Sequence, residues 1–337
     1  MEKYDFKEEQ KTKMVEWRQS NISTKDKGFQ NKRDYDHIVP AQYWAETLWE
    51  GIKDELIEYI ESEKIQPHTG KHNLLSSWVC CANLYFPIRN NNMLRQLMND
   101  FLKIHVSNKI VNITNVELEF AFPKGDKLNP ENLLGEKDGN RGSGQTSPDV
   151  VFEVDTVKGE GYILTECKYT EHSFYTCSAR KQSDIIKRKK NPDPSRCMCS
   201  ANSCDYNNIC HQNEWDRKYW DHITLSEKGK NILKRCPAST SGYQLFRQQA
   251  LAEGIAKSNK YELVASAVAY DGRNKVLTKC LSTTGVNDFT TSWSELFDGK
   301  SIFKTWTHQE WVSYVRENQK NGEFDNWLTY LKDRYGY

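Results

Sequence analysis

The feature that most constrains this 337-residue chain is a pair of short runs, 148–155 and 161–170, separated by Lys158-Gly159-Glu160-Gly161. In the first run Val150, Phe152 and Val154 alternate with other residues, the period of a strand, and the glycine-containing spacer supplies a tight turn. The pattern predicts a β-hairpin. An isolated hairpin is marginal in water, so further elements must cover it. One stands upstream: from residue 113 on, Val116, Leu118, Phe120 and Phe122 alternate with Glu117, Glu119 and Ala121 as far as Pro123. That spacing predicts a half-buried strand carrying two carboxylates on its other face.

The remainder reads mainly as helix. Trp44, Leu48, Ile52, Leu56 and Ile60 recur every four residues, predicting an amphipathic helix over 40–65 with Pro40 in its first turn. Further helical patterns cover 74–84, 93–104 and 243–257, a strand is predicted over 261–270, and Trp-rich helical pieces run to the end. The expected fold is α/β: a mixed central sheet, its first three strands an antiparallel meander, flanked by helices. The expected division is a helical N-terminal region (1–110), a core (111–270) with a basic, Cys-rich insertion (178–236), and a helical C-terminal region (271–337). Residues 124–147, with Gly139, Gly142 and Gly144, are expected to form a mobile loop.

Charge excludes the extremes. Lys and Arg number 47 against 46 Asp and Glu, so no acidic or basic tail dominates, although a local basic patch remains open. No run approaches the roughly 18 apolar residues of a membrane span, and the charged start lacks a signal-peptide core. These features predict a cytoplasmic protein without membrane association, whose ten cysteines would bind metal or lie buried rather than pair.

The hairpin also carries the chemistry. Asp149 opens the first strand and Glu166 and Lys168 lie in the second, with sixteen residues between Asp149 and Glu166. Because side chains alternate along a strand, Glu166 and Lys168 project to one face and Cys167 to the other. Paired carboxylates beside a lysine suit Mg²⁺, which takes hard oxygen ligands and leaves positions for phosphate oxygens. The lysine can orient or help deprotonate an attacking water and offset charge on phosphorus. Cys167 and His172 do not form a nucleophile pair on this alternation, and no Walker A, dinucleotide or His-Glu-x-x-His motif is present.

Pro148-Asp149 followed by Glu166-Cys167-Lys168 on consecutive predicted strands resembles the PD-(D/E)xK nuclease superfamily, which includes many type II restriction endonucleases. The resemblance spans 75–270. It implies a restriction-endonuclease-like fold, a Mg²⁺-dependent DNA endonuclease, and a further acidic ligand upstream. Glu119 is the first choice for that ligand, Glu117 the second, and Glu46 or Glu50 the choices if it comes from a helix. The alternative for Glu117 and Glu119 is an exposed strand face, and for Glu166 with Lys168 a surface ion pair.

The resemblance further suggests that Gln244 or Gln248 supports the site and that Arg247 clamps a phosphate, since the three share one helical face; the alternative is a solvated face. Glu171 is a second-metal candidate or an ordinary exposed carboxylate. Arg180, Lys181, Lys187, Arg188, Lys189 and Lys190 place six positive charges in eleven residues, suited to phosphate contact or to plain solvation. Cys177, Cys197, Cys199, Cys204 and Cys210, followed by His211, could hold a structural Zn²⁺ or a four-iron cluster, or remain unligated; Cys197, Cys199, Cys204 and Cys210 are the expected zinc tetrad.

The functional expectation is therefore a sequence-specific restriction endonuclease acting on double-stranded DNA, as a homodimer on palindromic sites. A repair or recombination nuclease of the same superfamily and a non-catalytic, zinc-organised DNA-binding protein are the alternatives.

Overall fold

The computed structural model describes residues 5–137, 139–180 and 189–337. Five strands form the central sheet in sequential order: β1 (Ile110–Leu118), β2 (Val150–Thr156), β3 (Gly159–Lys168), β4 (Leu263–Tyr270) and β5 (Ile302–Thr307). The first three are an antiparallel meander, as their alternation and turn predict, whereas β4 and β5 run parallel to β3. Parallel neighbours need long crossovers. Residues 169–262 supply one, with helix α5 (Tyr243–Lys257) near its end.

Helices cover both faces. On one lie α1 (Phe6–Asn21), α2 (Lys53–Ser62), α3 (Ser77–Tyr85), α4 (Asn92–His105), α6 (His308–Asn318) and α7 (Asp325–Tyr335), which share a core with Val150, Phe152, Val154, Ile163 and Cys167 of the hairpin. On the other, α5 and the Cys-containing segment pack on Val151, Leu164, Val264 and Val268. A strand covered on both faces must be apolar at successive positions, which is why β4 reads Leu-Val-Ala-Ser-Ala-Val-Ala and not as a clean alternation. The first core contains Met14 and Trp17 from before residue 110 together with Trp311 and Trp327 from after 271, so the two terminal regions pack as one body against the sheet. Local signals set the helix starts: Ser76 accepts from the Val79 amide, Asn91 from Leu94, and Thr307 with Glu310 forms a reciprocal cap at α6.

Three expectations need correction. The four-residue period over 40–65 is not one helix; 3₁₀ turns at Ala41–Thr47 and Glu50–Ile52 precede α2. The C-terminal region is not purely helical, because it contributes edge strand β5, which contains Trp306. The alternation in β1 also fails beyond Leu118. Glu119 takes a left-handed backbone (φ 49°), so Val116 and Leu118 join one core while Phe120 and Phe122 join the other. The sequence reading missed a small hairpin as well, Gly28–Gln30 paired with Arg33–Tyr35. Among the described residues no helix is long and apolar enough to cross a membrane.

Candidate active site

Where the meander meets α5, four side chains from three strand ends face one cleft of about 540 Å³. Register explains their convergence. Val150 pairs with Thr165, and beyond Leu118 the Glu119 and Phe120 amides donate to the Asp149 and Pro148 carbonyls (3.1 and 3.2 Å), so Glu119, Asp149 and Glu166 lie at one end of three adjacent strands. The left-handed turn at Glu119 distinguishes it from Glu117. Glu119 is buried and lines the cleft, whereas Glu117 is held outside it by Arg141 at 2.8 Å.

Each group is oriented by a specific partner. Asp149 Oδ2 accepts from the Cys167 amide (2.7 Å). Lys168 Nζ reaches Glu166 Oε1 at 2.7 Å and Gln244 Oε1 at 3.0 Å, with the Phe174 and Tyr175 rings 5.6 and 5.8 Å from the ammonium. The Lys168 carbonyl accepts from the Asp271 amide and from His308 Nε2, both at 3.1 Å. Behind it, Trp306 donates to the Tyr85 hydroxyl and Tyr85 to His308 Nδ1, each at 3.1 Å.

Three carboxylates and one ammonium are thus buried together with an excess of negative charge. Burial, then the neighbouring charges of Asp149 and Glu166, push the Glu119 carboxyl well above its usual range. Burial and Glu166 do the same to Asp149. Burial alone would lower the Lys168 value, but Glu166, Glu171 and Asp149 outweigh it and hold the amine above the ordinary lysine value, hence protonated. Carboxylates grouped on a cleft with room for water are the donor type that Mg²⁺ takes. Among the described residues, however, no group of three or more His, Cys, Asp or Glu is drawn together as a formed metal site; Lys168 occupies the counter-ion position on Glu166.

The other expected residues separate. Gln244 touches Lys168 directly, but Gln248 is buried beneath the sheet and donates to the Leu164 and Ala267 carbonyls (3.0 and 2.9 Å). Arg247 is not placed as a phosphate clamp, because its guanidinium is engaged by Glu136 (3.1 Å), itself 1% exposed, and by Thr146. Glu46 caps Ser23 and Glu50 pairs with Lys53, both away from the cleft. Glu171 lies on the cleft wall, accepting from the Tyr169 amide at 2.8 Å. Of the basic run, Lys181, Lys187 and Arg188 lie outside the described residues; Arg180 bonds the Pro194 carbonyl, Lys189 pairs with Glu214 at 3.5 Å, and Lys190 is exposed.

The zinc tetrad is also corrected. Cys199 and Cys204 form a disulfide, which removes two of its four thiols. Cys177, Cys197 and Cys210 instead line a small cavity of about 30 Å³ together with Cys236, a buried member of the second core. Sequence reasoning missed His308, Trp78 and the cleft wall built by 30–38, because each acts from an element distant in sequence.

A family model described as restriction endonuclease associating with ARP matches residues 11–336. No curated protein and no solved structure matches the chain.

Proposed function

We propose, from the premise that this chain belongs to the family described as restriction endonuclease associating with ARP, that it is a Mg²⁺-dependent endonuclease hydrolysing phosphodiester bonds of double-stranded DNA. The observation that carries the reading is the convergence of Glu119, Asp149, Glu166 and Lys168 at one cleft floor. Asp149 and Glu166, with Glu119, would hold the ion, which when bound supplies a polarised phosphoryl oxygen and an acidified water. The residues do the rest. Lys168, steadied by Gln244, positions the water and offsets charge at phosphorus. Asp149 is held for ligation by the Cys167 amide, on the strand that carries Glu166 and Lys168.

This reading puts the chain in the PD-(D/E)xK superfamily, with the meander and α5 as a restriction-endonuclease-like core, and makes cutting sequence-specific. Since one centre cuts one strand, a double-strand break calls for a second copy, and a C2 homodimer is the simplest arrangement. Light scattering free and on DNA tests that part.

The central test uses long duplex with Mg²⁺, and duplex binding in Ca²⁺ on the same preparations. Asp149→Asn, Glu166→Gln and Lys168→Ala should each lose cleavage by roughly a hundredfold or more while still binding duplex. Full cleavage by a folded Lys168→Ala or Asp149→Asn protein would remove this cleft from the chemistry.

A further inference from the structure

One wall of the cleft is the small hairpin missed in the sequence. Its strands Gly28–Gln30 and Arg33–Tyr35 are joined by a two-residue turn in which Asn31 and Lys32 both have positive φ (51° and 66°). Turns of this kind match the twist of paired strands, and glycine or asparagine usually fills them; lysine in that conformation is uncommon. The base of the hairpin is pinned. Gly28 donates to the Ile38 carbonyl (2.8 Å), and a side chain at Gly28 would meet the Val39 carbonyl oxygen at 2.3 Å. Arg18, buried in α1, donates to the Asp36 carbonyl at 2.7 Å. The tip, by contrast, stands free in solvent.

Cross-strand pairs share a face of a hairpin. Gln30 and Arg33 are such a pair, and with Tyr35 they line the cleft, whereas the neighbouring pair, Phe29 and Asp34, does not. Arg33 lies on the Tyr35 ring (4.8 Å) and, among the described residues, neither it nor Lys32 nor Lys7 is paired with a carboxylate. Lys7 and Lys11 of α1 line the same rim, Lys11 beside Glu8 at 3.1 Å. A rigidly based two-stranded ribbon is of a size that enters the major groove of B-DNA. Arginine and glutamine are the side chains that bond guanine and adenine edges through two hydrogen bonds, and rim lysines suit phosphates.

We propose that the Gly28–Tyr35 hairpin is the base-reading element for DNA lying in this cleft: Gln30 and Arg33 contact base edges in the major groove while Lys7 and Lys11 hold the flanking backbone. The inference rests on the nuclease reading for its ligand, duplex DNA, but its test does not depend on cleavage. A random duplex library is selected for binding in Ca²⁺ by the wild-type protein and by Gln30→Ala, Arg33→Ala, Arg33→Lys, and the outward-facing controls Phe29→Ser and Asp34→Ala. Thermal melts confirm folding, and cleavage of the same library in Mg²⁺ is scored separately. The wild type should enrich a motif. Gln30→Ala and Arg33→Ala should each lose preference at one base pair by roughly tenfold or more, with Arg33→Lys intermediate and both controls unchanged. Absence of a wild-type motif, or the same motif in both alanine variants, overturns the inference. A motif that depends on Gln30 and Arg33 without any cleavage in Mg²⁺ would support the hairpin and count instead against the nuclease reading.

Discussion

His308, the first residue of α6, donates its Nε2–H to the main-chain carbonyl of Lys168 at 3.1 Å and so ties the start of the C-terminal helices to the last residue of β3. The carbonyl can only accept, so the proton sits on Nε2, and Nδ1 accepts from the Tyr85 hydroxyl (3.1 Å). Both ring nitrogens are used in the neutral form, inside a fully buried site. His308 is thereby a positioning residue for Lys168.

That burial sets a pH dependence. It pulls the His308 value down to about 4, below the ordinary imidazole value of 6.5. Above 6.5 folded and unfolded chains are both neutral here; as pH falls toward 4 only the unfolded chain takes up the proton, so stability is lost across that window, on the order of 3 kcal/mol from this group. Urea unfolding at several pH values, wild type against His308→Gln, should show a shallower acid decline in the variant. Parallel declines would refute the assignment.

Glu119 and Glu117 should behave differently despite lying two residues apart. Glu119→Gln, inside the cleft, should reduce cleavage by roughly a hundredfold at unchanged duplex affinity. Glu117→Gln, which weakens the Arg141 pair and leaves an acceptor for the Asn115 side chain, should cut within about twofold of wild type and cost about 1 kcal/mol. Single-turnover cleavage and melting of both proteins decide; the reverse pattern would make Glu117 the functional acid.

Gln244 steadies the Lys168 ammonium at 3.0 Å, and a hydrogen bond to a charged group is worth about 1.5–3 kcal/mol. Gln244→Leu should therefore slow the chemical step by roughly tenfold or more while binding in Ca²⁺ holds. An equal loss of binding and cleavage would instead place Gln244 against the DNA.

Arg247→Ala should leave Glu136 buried without its cationic partner, held only by hydrogen bonds from Thr146 and the Tyr219 hydroxyl, and destabilise the fold by about 3 kcal/mol. Glu136→Gln combined with Arg247→Ala should recover part of that loss. If Arg247→Ala melts like wild type but binds duplex more weakly, the guanidinium contacts phosphate after all.

How much of this was legible beforehand can be read from particular residues. The hairpin, the meander, the span of α5 and the shared face of Glu166 and Lys168 followed from local periodicity and turn residues, because those patterns report on which side of a strand or helix each side chain falls. Gln244 as a supporting residue came from the superfamily resemblance, with helical spacing alone unable to separate it from Gln248. Strand β5 was lost among tryptophans that suit helix and sheet equally, and the two 3₁₀ turns were hidden by a period they imitate.

Which carboxylates and which lysine can share a strand face is legible locally, since that depends only on a period of two. Tertiary structure alone decided which of them meet. The left-handed backbone at Glu119 selects it over Glu117, the long crossover brings Gln244 onto Lys168 while turning Arg247 toward Glu136, and the return of the chain after residue 300 sets His308 behind the lysine. Those pairings join residues between about twenty and 140 positions apart, and no local period carries information over such distances; only the packing of two helical layers on one sheet fixes them.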